Sequence, residues 1–401
     1  MKKIFKKIHL WLSIPLGVLI TIICLTGAIL VFRTEIEEAV NKDLIFTQDE
    51  QGEKLSITEL VPIVSTQLED DQLTGVTIPA DPQRNYTVSV VSNMRAAVYV
   101  NPYTGEVLGK MEGGFFSKVM QLHRWLLIKR EVGKPIIGYT TLIMVIILIS
   151  GLIVIFPKSR KQLKRIFSIS FTKGWKRFWY DLHVSGGMYV LIGLLVLALT
   201  GLTWSFQWYR KPFYKLFGAE IVQQGHAPQP QQNTQQQNNN ASLRSERSKD
   251  ENQIPQEKGG ERPQSQQSQS SQGGQQRRQE SLNPVHWDDV LAHIQAENPD
   301  YKRINIRNNS ATVTQDKWGN SRASDRYTFD GDTGEITEYV PYKDQDRTTK
   351  VRGWIYSIHV GSWGGWLSKT ITFLVALIGA SLPITGYYLW IKRLRRKKGK
   401  I

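Results

Sequence analysis

Cysteine is almost absent: Cys24 is the only one in 401 residues, and it lies inside an apolar run. An internal disulfide and a cysteine-based metal site are therefore excluded. The sequence also lacks a phosphate-binding loop, a dinucleotide fingerprint, a catalytic-triad signature and a His-Glu-x-x-His pair, which leaves no footing for the chemistries those motifs carry. No charged residue lies deep within any of the long apolar runs, where ion-coupled carriers usually keep one. Acidic residues are scarce beside basic ones, 35 Asp and Glu against 51 Lys and Arg. Such an excess can mark a nucleic-acid binder. Here the cations collect beside apolar runs, the pattern of membrane orientation, so no nucleic-acid partner is expected.

What is present begins with four apolar windows, Leu10 to Phe32, Ile136 to Phe156, Val184 to Phe206 and Leu367 to Ile391. Each is near the roughly 20 residues that carry a helix across a hydrocarbon core of about 30 Å. The first follows Lys2, Lys3, Lys6 and Lys7 but is too long for a signal-peptide core. Phe32-Arg33-Thr34-Glu35 is also no small-residue cleavage site, so it reads as a retained helix. The loop after the second window holds Lys158, Arg160, Lys161, Lys164, Arg165, Lys173, Lys176 and Arg177, and the tail runs from Lys392 to Lys400 with five further cations between them. These flanks predict both termini and the middle loop in the cytoplasm. The acidic segment that opens with Glu35, Glu37, Glu38, Asp43, Asp49 and Glu50 then faces outward.

The fold class that follows is an α-helical membrane protein whose four transmembrane helices form a duplicated helix–module–helix unit with two extracytoplasmic α+β modules. In chain order we expect the first span with its cytoplasmic N-terminus at 1–32, a first module at 33–118, and an outer-edge helix with the second span at 119–156. A basic loop at 157–182 leads to the third span at 183–206 and a linker at 207–222. A Gln-rich insertion fills 223–281, a second module 282–352, an outer-edge segment with the fourth span 353–391, and a basic tail 392–401. In the first module, residues 56–68 read as a short helix interrupted by Pro62, followed by strands at 86–91 and 97–100, the turn Asn101-Pro102-Tyr103-Thr104-Gly105 and a strand opening at Glu106. The second repeats the plan, with a helix from Asp288 to Ala296 and the turn Asp330-Gly331-Asp332-Thr333-Gly334-Glu335. The insertion is too polar to bury a core and is expected to be disordered.

The duplication extends to the spans. His9 opens the first and His183 the third, and in both cases a Thr-Gly pair ends 18 residues later, at Gly27 and Gly201. His123 precedes the second span, which carries Ser150-Gly151. His359 precedes the fourth, where Thr385-Gly386 sits at an offset one residue shorter. Parallel repeats of this kind are related by an axis along the membrane normal, which would bring His9 opposite His183 at one membrane edge and His123 opposite His359 at the other. One interfacial histidine is more simply a helix-end anchor. Four at matched positions read as axial ligands, because opposed imidazoles are what a six-coordinate haem iron requires. Gly27 and Gly201 would line the bundle beside the outer pair, and Gly151 and Gly386 beside the inner pair, leaving room for a macrocycle; small residues at helix interfaces also serve packing alone. Arg124, next to His123, is a candidate partner for a haem propionate or a snorkelling anchor. Trp125, Trp204, Trp208, Trp354, Trp363 and Trp366 read as an outer aromatic belt. His226, His286 and His293 are poor ligand candidates. Breaks are expected at Gly133-Lys134-Pro135 and Gly364-Gly365.

Leu25-Thr26-Gly27-Ala28-Ile29-Leu30-Val31-Phe32, Leu122-His123-Arg124-Trp125, and a module ending in Tyr99-Val100-Asn101-Pro102-Tyr103-Thr104-Gly105-Glu106 together resemble the PepSY-associated transmembrane family. That family includes iron-regulated inner-membrane proteins and ferric-siderophore reductases. The resemblance implies two b-type haems, held by His9, His123, His183 and His359, that carry electrons outward across a bacterial inner membrane to an extracytoplasmic ferric chelate and release iron(II). It implies no donor: the flavoreductase domain fused to some relatives is missing, which leaves a cytoplasmic reductase or a quinol. Two other readings stand beside this one. A membrane-anchored scaffold whose modules bind an extracytoplasmic protein or peptidase does not account for the matched histidines. A transporter is disfavoured by the uncharged spans.

Overall fold

The structure, a computed structural model, describes residues 2–48, 52–68, 71–91, 97–111, 114–157, 159–221, 282–315 and 319–398. The Gln-rich insertion lies outside the described residues. Helix α1 (Lys2–Val31) leads through α2 (Arg33–Val40) and α3 (Lys42–Ile45) to the first module, which comprises α4 (Ile57–Gln67), β1 (Leu73–Pro79), β2 (Tyr86–Val90), β3 (Val98–Val100) and β4 (Val107–Lys110). The chain returns through α5 (Gly114–Trp125) to α6 (Arg130–Ile155). Two short helices, α7 (Arg160–Ile166) and α8 (Trp175–Asp181), lead through a π-helical turn at Leu182–Gly186 into α9 (Gly187–Ser205). After α10 (Gln207–Leu216), the second module holds α11 (Trp287–Glu297), β5 (Tyr301–Arg307), β6 (Ser310–Gln315), β7 (Ser324–Phe329) and β8 (Ile336–Val340), and α12 (Arg347–Val360) precedes α13 (Gly365–Lys398).

Among the described residues, four helical stretches are long and apolar enough to cross a membrane: α1, α6, the run from Trp175 to Ser205, and Ser362–Arg395. They close into a bundle in which α1 packs on α6 and α13, and α9 packs on the same two. α1 and α9 therefore stand diagonally, as a twofold repeat requires. Ile20, Cys24, Met144, Ile147, Leu148, Val190, Leu191, Leu194 and Ala380 fill its middle. Short connections and the two termini lie at one end, called here the termini end, and both modules lie at the other, the sheet end.

The two modules are more closely joined than their sequences imply. Their strands form one antiparallel sheet in the order β4-β3-β2-β1-β5-β6-β7-β8, sealed at its centre by Val76 opposite Ile306 and Ile78 opposite Ile304. Each of β1 and β5 would otherwise present an unpaired edge, and pairing satisfies both. All four of those side chains are buried beneath α4 and α11, with Leu60, Val64, Trp287 and Ile294. The Asp288 carboxylate accepts the N–H groups of Ile57 (2.6 Å) and Thr58 (2.9 Å). One module thereby caps a helix of the other.

Several expectations need correction. Helix α4 runs unbroken through Pro62, held by a Ser56–Glu59 capping box and by its buried face. Strand β1 is an element beyond those expected, and the expected linker contains α10. The break before the second span lies at 126–129 rather than at Gly133-Lys134-Pro135, with Leu126 and Leu127 both at φ 59°. Gly133 serves another purpose, since a Cβ there would stand 2.0 Å from the Trp125 carbonyl oxygen. It lets α6 fold back against the end of α5. Before α13 the break falls where expected, with Gly361 closing α12 at φ 75° and Gly365 at φ 59°.

Candidate cofactor site

Each of the four matched histidines is held in the same way, by a neighbouring helix of its own repeat. The His9 Nδ1 lies 3.0 Å from the Ile147 carbonyl and 3.2 Å from Ser150 Oγ. His123 Nδ1 lies 3.0 Å from the Ile23 carbonyl and 3.0 Å from Thr26 Oγ1. In the second repeat, His183 Nδ1 meets the Leu382 carbonyl at 3.1 Å and Thr385 Oγ1 at 2.9 Å. His359 Nδ1 meets Thr200 Oγ1 at 3.0 Å and donates to the Leu197 carbonyl. In every case the carbonyl belongs to the residue three before the hydroxyl; Ser150 and Thr385 donate to it at 2.8 Å, whereas Thr26 and Thr200 donate more closely to the carbonyl one residue earlier, at 2.6 and 2.7 Å. A carbonyl only accepts, so Nδ1 carries the proton and Nε2 keeps its lone pair.

The glycine after each hydroxyl residue completes the arrangement. A Cβ on Gly151 would lie 3.1 Å from His9 Cε1, one on Gly27 3.3 Å from His123 Cε1, one on Gly386 3.3 Å from His183 Cε1, and one on Gly201 3.2 Å from His359 Cε1. The space these glycines leave is occupied by an imidazole edge. Thr26, Ser150, Thr200 and Thr385 are all buried. The Thr-Gly and Ser-Gly pairs stand out in the sequence, but there only the glycines suggest a role. The hydroxyls were missed, though their recurrence before all four glycines was the available signal.

Across the bundle axis the histidines meet in twos, one from each repeat. The ring centres of His9 and His183 are 6.3 Å apart with planes at 78°, and those of His123 and His359 are 6.4 Å apart at 55°. Two imidazoles bound through Nε2 on opposite sides of one metal, with metal–nitrogen bonds of about 2 Å, would place their ring centres roughly 6 Å apart. No group of three or more His, Cys, Asp or Glu able to hold a metal occurs among the described residues. A pair of neutral imidazoles with nothing else to complete the coordination fits a metal that brings its own equatorial ligand, as haem does. Burial pushes the His123 imidazole down to about 4 and that of His359 to about 3, so both are uncharged at neutral pH.

A cavity of about 390 Å³ surrounds the His9–His183 pair, a size in the range of cofactor sites, about 300–1,000 Å³. Gly17, Gly151, Gly187, Gly379 and Gly386 line it, together with Ile20, Met144, Leu148, Leu191 and Leu194, and Lys6 and Arg393 stand among its lining. The apolar walls suit a macrocycle and the two cations suit its carboxylates. At the sheet end the Trp204 ring packs on His359 with centres 5.1 Å apart. Arg124 is exposed and lies over the Trp125 ring at 5.3 Å. His286 and His293 pair with Asp289 and Glu297, away from either histidine pair, and His226 lies outside the described residues.

Fold and site together define a multi-pass membrane protein built from two copies of one helix–module–helix unit, each lending one histidine to each end of the bundle. The chain belongs to the family described as PepSY-associated TM region, whose profile matches residues 6–393. A comparison with curated proteins finds no match.

Proposed function

We propose that this protein is a transmembrane electron carrier that holds two b-type haems and reduces a ferric chelate on the sheet side of the membrane. The observation that carries this reading is the pair of histidine couples at opposite ends of the bundle, 6.3 and 6.4 Å between ring centres, each imidazole locked through Nδ1 with Nε2 free. When bound, haem supplies one-electron redox chemistry at each couple. His9 and His183 would hold one group and His123 and His359 the other. The Nδ1 contacts fix tautomer and ring orientation and raise the basicity of Nε2 as a ligand. Lys6 and Arg393 would receive carboxylates at the termini end. The packed apolar middle of the bundle excludes water from the path between the couples.

In the orientation set by the basic flanks, the termini face the cytoplasm of a bacterial cell and the sheet faces outward. A cytoplasmic reductase or a quinol would supply electrons, one for each iron(III) converted to iron(II). Hard oxygen ligands hold the reduced ion less well, so one electron loosens the chelate without breaking it. The test is a visible spectrum of the purified protein, followed by addition of a ferric chelate to the reduced form. Paired α and β bands on reduction, lost again on adding the chelate, are expected. A colourless protein would sink the proposal and leave a module-bearing scaffold.

A further inference from the structure

The sheet end of the bundle carries cations that membrane orientation does not explain. Cations flanking spans favour the cytoplasmic side, yet Arg124, Arg130, Lys134 and Arg210 gather at the opposite end. Arg130 and Lys134 line a cavity of about 440 Å³ with Glu131, Pro135, Tyr139, Ser205 and Phe206. Arg210 lies on α10, one turn beyond Phe206, to whose carbonyl its backbone N–H donates at 3.0 Å. Its Nε is buried without a hydrogen-bond partner, and a buried, unsatisfied guanidinium nitrogen costs free energy unless something accepts from it. Among the described residues, no ion pair engages Arg130, Lys134 or Arg210, and Glu131 is the one acid in the cavity wall. Arg130 and Lys134, on one cavity wall and without an ion pair, offer counter-charge to an anion.

The cavity's two walls continue in the chain into the elements that hold the His123–His359 couple. Its wall at Ser205 and Phe206 directly follows Trp204, whose ring packs on His359. Its other wall, the first turn of α6, is held against Trp125 at the end of the His123 helix by the close approach at Gly133.

We propose that this cavity binds the ferric complex, and that it selects complexes of net negative charge that present free oxyanions, carboxylates above all, over neutral ones. Guanidinium and ammonium groups around a half-apolar cleft recognise such groups through charge-assisted hydrogen bonds. The identity of the occupant as substrate rests on the electron-carrier reading; the anion site itself does not. Anionic phospholipid headgroups share the same chemistry, so the test must separate the two.

The probe is gallium(III) citrate, a redox-inert surrogate, with binding measured on the full-length protein in nanodiscs of zwitterionic lipid. Saturable binding is expected. It should weaken by at least about tenfold in a variant carrying Arg130→Gln and Lys134→Gln, since each change removes a hydrogen bond to a charged group. The charge-keeping Arg130→Lys, Lys134→Arg variant should stay within a few-fold of the parent, which guards against a folding defect. A neutral gallium trihydroxamate should bind more weakly and respond little to either variant. Unchanged affinity in the Gln variant, or equal binding of the neutral complex, would overturn the proposal. So would loss of citrate binding on moving to phosphatidylglycerol nanodiscs, which would assign the cations to lipid. Charge-dependent gallium citrate binding by a protein that shows no haem spectrum would support the anion site and defeat the electron-carrier reading alone.

Discussion

An imidazole presents one nitrogen reliably to a metal only when the other is committed elsewhere, and in this protein a buried hydroxyl and a helix carbonyl make that commitment four times. The hydroxyl should matter beyond packing. Thr200→Val keeps the shape of the side chain but removes the oxygen 3.0 Å from His359 Nδ1. Loss of such an outer-shell partner typically weakens a metal site by about 10–100-fold. We expect haem retention to fall in that range at the sheet-end couple and to stay unchanged at the other. Thr200→Ser, which keeps the hydroxyl, should restore it. Competition with a haem-binding acceptor protein measures the effect, and equal retention in the Val variant would reduce the hydroxyl to a packing role.

Among the elements, α5 and α6 meet where no side chain is tolerated. Gly133→Ala would drive a Cβ to 2.0 Å from the Trp125 carbonyl oxygen, and backbone on both sides must move to relieve it. Either folded protein is lost, or α5 shifts and takes His123 out of line with His359; size-exclusion behaviour and the spectrum of the sheet-end site together report which. A monodisperse variant with the parent spectrum would show that the close approach is not needed. Asp288→Ala removes the acceptor for two N–H groups of α4 and should destabilise the sheet by about 0.5–2 kcal/mol, read from the denaturant midpoint of the sheet. These contacts also mark the limit of what was legible beforehand. The spans and matched histidines could be read because hydropathy and a repeat are local or periodic signals. The union of β1 with β5 joins residues on opposite sides of the Gln-rich insertion, and nothing local encodes such a pairing. Strand β1 escaped notice because Leu73-Thr74-Gly75-Val76-Thr77-Ile78-Pro79 carries a glycine and a proline. The turn at Leu126 and Leu127 went to the nearby Gly-Lys-Pro because left-handed leucines give no sequence warning.

For the whole molecule, orientation decides what the two couples can do. If, as proposed, the basic flanks hold both termini in the cytoplasm, a reporter fused after Ile401 should be active only there; activity confined to the periplasm would invert every directional statement. In the proposed electron carrier with that orientation, the His9–His183 couple would be the entry and the His123–His359 couple the exit. The two couples share the same kind of Nδ1 contacts, a hydroxyl and a helix carbonyl, and nearly the same ring separation, so a reciprocal difference between their variants would point to position. His9→Ala or His183→Ala should block reduction of the sheet-end site by a donor on the termini side. The same variants should still let a ferric chelate re-oxidise a sheet-end site that has been reduced chemically. His123→Ala or His359→Ala should do the reverse, leaving a termini-end site that accepts electrons but cannot discharge them outward. Stopped-flow spectra of the four variants, mixed with donor on one side or chelate on the other, separate these cases. If a ferric chelate re-oxidised the termini-end site as fast without His123 as with it, electrons would not need the second couple, and the two-step path across the bundle would have to be abandoned while both histidine sites remained.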